Sequence, residues 1–343
     1  MQTTMLVRQY KPSNEFLYVE GYFEDELGAQ FEYHIDLYGN RGSKPPEHSS
    51  EEVQQGIKDA LVGANAALDM AIFPWATRDR FPWNLNPMIK KLHTGMRRMK
   101  TICQEIIGMR RAEKIRGESK ERDDLLDKLM HLEKDDLQGN LITFLFAGSE
   151  TTSTTVAWCL YYLCLYPNIQ TKARDEVDKL GRDPAVDADL DLLPYTQCCI
   201  LETLRLTPPG PFLPHKCMHR TRLGEEEILP GTVVLTVMSK AMKTIKEGGT
   251  SYVPERWLSS DGCGIDKDRA RDHLAFGGGP RQCPGQAMAL KEATVLLAMI
   301  LRHFDNIEHS HDISAVKGVD WFTYQPTGLE LDMSVRSVDQ TQT

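Results

Sequence analysis

The chain has 343 residues, 40 Lys and Arg against 49 Asp and Glu, and a net charge of −9. That length supports a large buried core, and the acidic balance argues against nucleic acid as a partner. The eight cysteines (103, 159, 164, 198, 199, 217, 263 and 283) show no C-x-x-C zinc spacing and fall partly in apolar runs, which fits reduced intracellular thiols rather than a disulfide framework.

Residues 1–50 are acidic and mixed in pattern and predict no recognisable element; 40–50 read as a linker, and 1–30 hold no apolar anchor and no signal peptide. Helical spacing covers 51–72 and 86–116, with Pro74, Pro82 and Pro87 interrupting the chain between them. The many Lys and Arg of 90–122 read first as a solvated helix face and second as a peripheral contact with membrane headgroups. A long apolar stretch, 137–166, has the polar run Gly148–Thr155 at its centre. A glutamate there is costly in lipid, so the stretch predicts a helix buried in a large domain rather than a membrane span. Further helices are predicted at 169–180, 191–207 and 284–304, strands around a turn at 227–238, and a terminal hairpin over 319–336.

Four motifs carry chemistry. In Ala147-Gly148-Ser149-Glu150-Thr151-Thr152, Gly148 permits close approach of a flat group, and Glu150 and Thr151 form an acid–alcohol pair able to relay protons; a satisfied polar patch in a helical core is the alternative. In Glu202-Thr203-Leu204-Arg205 the charged residues share a helix face, and apolar flanks predict that the pair is buried. The third is Pro254-Glu255-Arg256-Trp257. The fourth runs from Phe276 to Gly285, where Cys283 sits in a glycine-rich loop just before a helix, a setting that stabilises a thiolate. Arg281 offers a fork of donors for a carboxylate, and Phe276 is placed to limit hydration of the sulfur. A glycine-rich turn with an inert cysteine is the alternative.

Phe276, Gly279, Arg281, Cys283 and Gly285 fit the pattern F-x-x-G-x-R-x-C-x-G, and all four motifs occur in the order found in the cytochrome P450 family, which the chain resembles from about residue 55 onward. The wording of the motifs is similar to eukaryotic microsomal members. The resemblance implies a mainly α fold, a large helical domain with small β segments, incomplete or divergent on the N-terminal side; residues 1–50 stand unassigned and 51–343 form the partial haem domain. It implies haem b (iron protoporphyrin IX) with Cys283 as axial iron ligand, Arg281 at a propionate, and Phe276, Gly279, Gly285 and Gly148 lining the cofactor. Glu150 and Thr151 guide protons to dioxygen. Glu202, Arg205 and Arg256 form a structural ionic cluster behind the haem.

The implied activity is monooxygenation: one atom of O2 enters a lipophilic substrate, a fatty acid or alkane by motif wording, with a flavoprotein reductase as electron donor. Substrate-facing positions map to Leu141, Phe144 and Leu145, to Phe212 and Leu213, and to Gln325, Pro326 and Thr327 at the tip of the last hairpin. The resemblance places the protein at the endoplasmic reticulum membrane, whereas the lack of an anchor places it in the cytoplasm or on a membrane surface. Three departures keep a second reading open, a non-catalytic remnant with weak or no haem binding. The early helices and sheet of the family are not recognisable; Trp75 and Arg78 have the wrong spacing for its W-x-x-x-R motif; and 243–253 lacks the usual W-G-x-D. A third reading keeps the haem for peroxide-driven isomerase or dehydratase chemistry. Lys267, Arg269 and Arg271 near the cysteine loop suit an acidic electron donor, an idea weakened by the interleaved Asp266, Asp268 and Asp272.

Overall fold

Apolar residues at helical spacing dominate this chain, and they produce a mainly α-helical protein carrying small antiparallel sheets. A computed structural model describes strands at 8–10, 18–24 and 30–34, and residues 87–117, 125–185, 187–245, 249–320 and 323–336. The helix expected at 51–72 lies outside the described residues. The chain divides into two units, 4–150 and 151–343, the latter with the first three residues.

In the first unit, β1 (Arg8–Tyr10), β2 (Tyr18–Glu24) and β3 (Gln30–His34) form an antiparallel sheet within the segment for which no element was expected. Helix α1 (Pro87–Ile115) opens on proline, whose missing N–H costs nothing in a first turn. It is followed by the short α2 (Leu125–Leu129) and the first half of α3 (Lys134–Leu165). Met99, Ile102 and Cys103 of α1 pack on Ile142, and Ile107 packs with Leu126 and Leu137. Arg110 departs from the expected solvated face. It is 2% exposed and bonds Asp127 at 2.9 Å, because burying an arginine stem requires a carboxylate for its head.

The second unit begins at Thr151 within α3. Among the described residues no helix is long and apolar enough to cross a membrane. After α3 come α4 (Pro167–Leu180), the single turn α5 (Asp187–Leu190) and α6 (Pro194–Leu206). Eleven residues of α6 are buried, Glu202 and Arg205 among them. Helix α4 ends at Gly181 with a φ of 73°, a left-handed cap that glycine adopts without strain. The next elements are β4 (Phe212–Lys216), β5 (Thr221–Leu223), β6 (Glu226–Ile228), β7 (Val233–Val237), α7 (Met238–Ile245), α8 (Lys267–Arg271) and α9 (Gln286–His303). β8 (Phe304–His309), β9 (Lys317–Asp320), β10 (Tyr324–Thr327) and β11 (Leu331–Val335) complete the chain.

Two pairings differ from expectation. The strands within 227–238 do not pair with each other: β6 pairs with β5, and β7 with β4. The 319–336 segment is not one hairpin: β9 pairs with β10, and β11 returns to β8. Gln325, Pro326 and Thr327 are therefore strand residues of β10 rather than the tip of a hairpin. The hairpin is fixed on α3, where Trp158 Nε1 donates to Tyr324 O at 2.8 Å and the two rings stack with centroids 5.4 Å apart.

Candidate functional site

The site grows from α6. Its N-terminus begins Leu193-Pro194-Tyr195, and no side chain of its own caps it. Glu176 of α4 does so instead: its carboxylate accepts from Tyr195 N and Thr196 N, both at 2.8 Å, and from Thr196 Oγ1 at 2.7 Å. Two of the orphan amides of the first turn are satisfied from a neighbouring helix.

One turn before the end of α6, Glu202 collects five donated hydrogen bonds. Arg205 Nε reaches Oε2 and Nη2 reaches Oε1, each at 2.9 Å. Arg256 Nε reaches Oε1 at 3.0 Å, Trp257 Nε1 reaches Oε2 at 2.8 Å, and Val253 N reaches Oε1 at 2.8 Å. Arg205 continues to Gly249 O at 2.7 Å and Ser251 O at 2.9 Å. Glu202 and Arg205 are fully buried. Such a group is retained only when each oxygen and each N–H finds a partner, and here the 3-10 turn Pro254–Trp257 supplies the partners that α6 lacks. The structure thus brings together Glu202, Arg205 and Arg256. It adds Trp257 and the Val253 amide, which sequence spacing did not single out as Glu202 ligands.

Leu201, beside Glu202, packs with Cys198 and Trp257, and half-buried Leu258, Ile265 and Leu290 surround them. Leu290 belongs to α9, so this apolar contact joins the ionic cluster to the helix that follows Cys283. Residues 292–301 of α9 are all buried, whereas Ala287 and Met288 of its first turn are exposed.

The cysteine loop closes on itself. Gly277 N donates to Leu274 O at 2.8 Å, Gln282 N to Gly279 O at 3.1 Å, and Cys283 N to Phe276 O at 2.9 Å. Gly277 and Gly279 have φ values of 73° and 69°, a region that other residues enter only with strain. A side chain at Gly277 would also meet Leu213 of β4 at 3.7 Å. Cys283 and Arg281 are exposed, and Phe276 is half-buried. A Cβ at Gly285 would lie 3.8 Å from Cys283 Sγ, so this glycine keeps one side of the sulfur open. Around Gly278 and Gly279 an added Cβ meets nothing within 4 Å.

Five other cysteines behave differently. Burial pushes the thiols of Cys103, Cys164 and Cys198 up to about 12 and that of Cys159 to about 11, and it carries Cys199 well above its ordinary value. These stay protonated and inert. Among the described residues no cluster of His, Cys, Asp and Glu could hold a bare metal ion. In this loop the exposed Cys283 lies beside an open, glycine-lined face, which suits a metal that brings its other ligands with it, as a porphyrin does. The residues present fit that group.

Gly148 and Glu150 lie on α3 at the end of the first unit, and Thr151 opens the second; all three are half-buried. Ser149 Oγ donates to Leu145 O and Thr155 Oγ1 to Thr151 O, both at 2.8 Å, so hydroxyls turn back onto the helix on either side of the acid–alcohol pair. Thr152 is 5% exposed, and among the described residues its Oγ1 has no partner. Near the loop, Arg269 pairs with Asp266 at 3.2 Å and Arg271 with Asp268 at 3.0 Å, which leaves little net positive charge for an acidic partner.

Residues 49–320 match the family model described as cytochrome P450. The chain is 35% identical over 214 residues to cytochrome P450 CYP13A3 of Caenorhabditis elegans, an alignment covering 61% of this chain and 41% of that protein. It is 30% identical over 217 residues to human cytochrome P450 4F12, covering 58% and 40%. It is 29% identical over 247 residues to a bifunctional cytochrome P450/NADPH–P450 reductase of Gibberella moniliformis, covering 68% and 21%. The chain therefore spans less than half the length of these curated relatives.

Proposed function

From the chain's membership of the cytochrome P450 family, we propose that it is a haem-thiolate monooxygenase acting on a lipophilic substrate. The observation that carries this reading is the cysteine loop: one exposed cysteine, held by a closing backbone bond and flanked by glycines, beside a buried ionic cluster. Haem b bound there supplies activation of dioxygen, with one oxygen atom passing to substrate and the other to water for two electrons and two protons.

The residues of the chain have separate tasks in this proposal. Cys283 would hold the haem iron through its thiolate, and Phe276, Gly279 and Gly285 would shape the backbone around it. The exposed guanidinium of Arg281 would pair with a propionate. Gly148 keeps helix bulk away from the ring. The Glu150 carboxylate takes a proton from solvent, and the Thr151 hydroxyl holds the next one. Glu202, Arg205 and Arg256 stay fixed and brace the loop. Residues 51–343 act as the haem domain in this reading.

The half-buried Leu141, Phe144, Leu145 and Leu213 support a lipophilic substrate, with fatty acids and alkanes the first classes to test. A flavoprotein reductase is the proposed electron donor, in keeping with the name of the fused fungal relative. The test is turnover of a long-chain fatty acid under 18O2 with NADPH, a purified reductase and the haem-loaded chain. A product carrying one 18O atom supports the reading; haem-loaded protein that yields no oxygenated product from fatty acids, alkanes or other apolar probes counts against it.

A further inference from the structure

We propose that His273 is a positioning residue that ties the cysteine loop to α6 as a neutral imidazole with its proton on Nε2. The histidine is 6% exposed and lies ten residues before Cys283. Its Nε2 is 2.9 Å from the carbonyl oxygen of Leu201, the residue preceding Glu202. A carbonyl only accepts, so Nε2 carries the proton. Its Nδ1 lies 3.3 Å from Ala275 N, and an amide only donates, so Nδ1 is bare. Both neighbours demand the same tautomer, and an imidazolium would set two N–H groups against each other at Ala275.

The ring also packs on Trp257, with centroids 5.0 Å apart, while Trp257 Nε1 holds Glu202. On the other side, Ala275 leads directly into Phe276, whose carbonyl receives the Cys283 amide. One side chain therefore connects the backbone of α6, the residue next to the loop-closing carbonyl, and the indole of the ionic cluster. Neither bond depends on haem. The consequence for the site does rest on Cys283 being the iron ligand: with His273 in place, the loop is set before the cofactor arrives, which lowers the ordering cost of binding it.

The experiment compares the 343-residue chain with His273→Phe, which keeps an aromatic ring and removes both bonds, and His273→Gln, which restores a donor and an acceptor. In the haem-free wild type, 15N correlation of the imidazole is expected to show the Nε2–H tautomer. The Ala275 amide is expected to exchange about tenfold faster in His273→Phe, the loss of roughly one hydrogen bond, with α9 amides unchanged and the wild-type rate recovered in His273→Gln. After haem loading, the share of cysteine-ligated ferrous–CO signal falls in the Phe variant and recovers in the Gln variant. An Nδ1–H tautomer, equal exchange in wild type and His273→Phe, or a Gln variant that behaves like Phe would overturn the assignment. Failure of all three proteins to bind haem would instead sink the monooxygenase reading, with the exchange and tautomer results still deciding the role of His273.

Discussion

Removing the carboxylate of Glu202 would leave the guanidinium groups of Arg205 and Arg256 facing one another, one of them fully buried. Uncompensated buried charge of this kind costs about 3–5 kcal/mol. Glu202→Ala should lower the urea midpoint accordingly and abolish haem uptake; a variant with wild-type stability and haem content would remove the cluster from the account. Cysteine chemistry gives a second check at this scale. Iodoacetamide applied to the folded, haem-free chain near neutral pH should modify the exposed Cys263 and Cys283, and spare Cys103, Cys159, Cys164, Cys198 and Cys199, whose thiols burial holds far above neutrality. Peptide mapping by mass spectrometry reads the outcome. The contacts among Glu202, Arg205 and Arg256 were legible in the sequence because each residue stands at a fixed spacing within a short motif, and the same kind of spacing makes Cys283 the candidate ligand. The bonds made by Trp257, Glu176 and His273 were not legible, because their partners lie on other elements and no spacing announces them.

Helix α6 depends on a neighbour for its first turn. Glu176→Ala removes the carboxylate that caps Tyr195 and Thr196, and should destabilise the protein by about 1–2 kcal/mol, measured as a shift in the denaturant midpoint at constant slope. A second tie joins α4 and α6 to the Pro254–Trp257 turn. Glu255 Oε1 accepts from Lys172 Nζ at 2.7 Å and Tyr195 Oη at 2.8 Å. Burial pushes its carboxyl up, but these two donors outweigh it and hold Glu255 below its ordinary value of 4.5. A depressed carboxylate stabilises the fold above its ordinary pKa, and that stability is lost as pH falls through the depressed value. Acid titration of stability should therefore be shallower below about pH 4.5 in Glu255→Gln than in wild type; the exposure of Lys172 keeps the difference small. At this scale the sequence indicated strands in 227–238 and 319–336, was poor on how they pair, and showed no sign of β1–β5 or β8. Val233–Val237 pairs with β4 and Leu331–Val335 with β8, and the β5–β6 and β9–β10 pairs lie between those partners in the chain, so neighbouring strands in the sequence are not neighbours in the sheet.

Across the whole molecule, a mainly helical fold with small antiparallel sheets was legible because long apolar runs at helical spacing outnumber every other pattern. The polar centre of α3 marked that helix as part of a folded interior, and no described helix meets the requirements for crossing a membrane. Composition carried far less information about residues 1–50, where short strands alternate with polar segments and no period is sustained long enough to read. In the proposed reading, fold and site meet at Cys283, whose loop would present a thiolate to haem iron. The most direct measurement is a carbon monoxide difference spectrum of the reduced, haem-supplemented chain, run beside Cys283→Ser. Wild type is expected to show the strongly red-shifted Soret band of a cysteine-ligated ferrous–CO complex, and the variant to lose it. No haem uptake by wild type, or the same red-shifted band in Cys283→Ser, would contradict that reading.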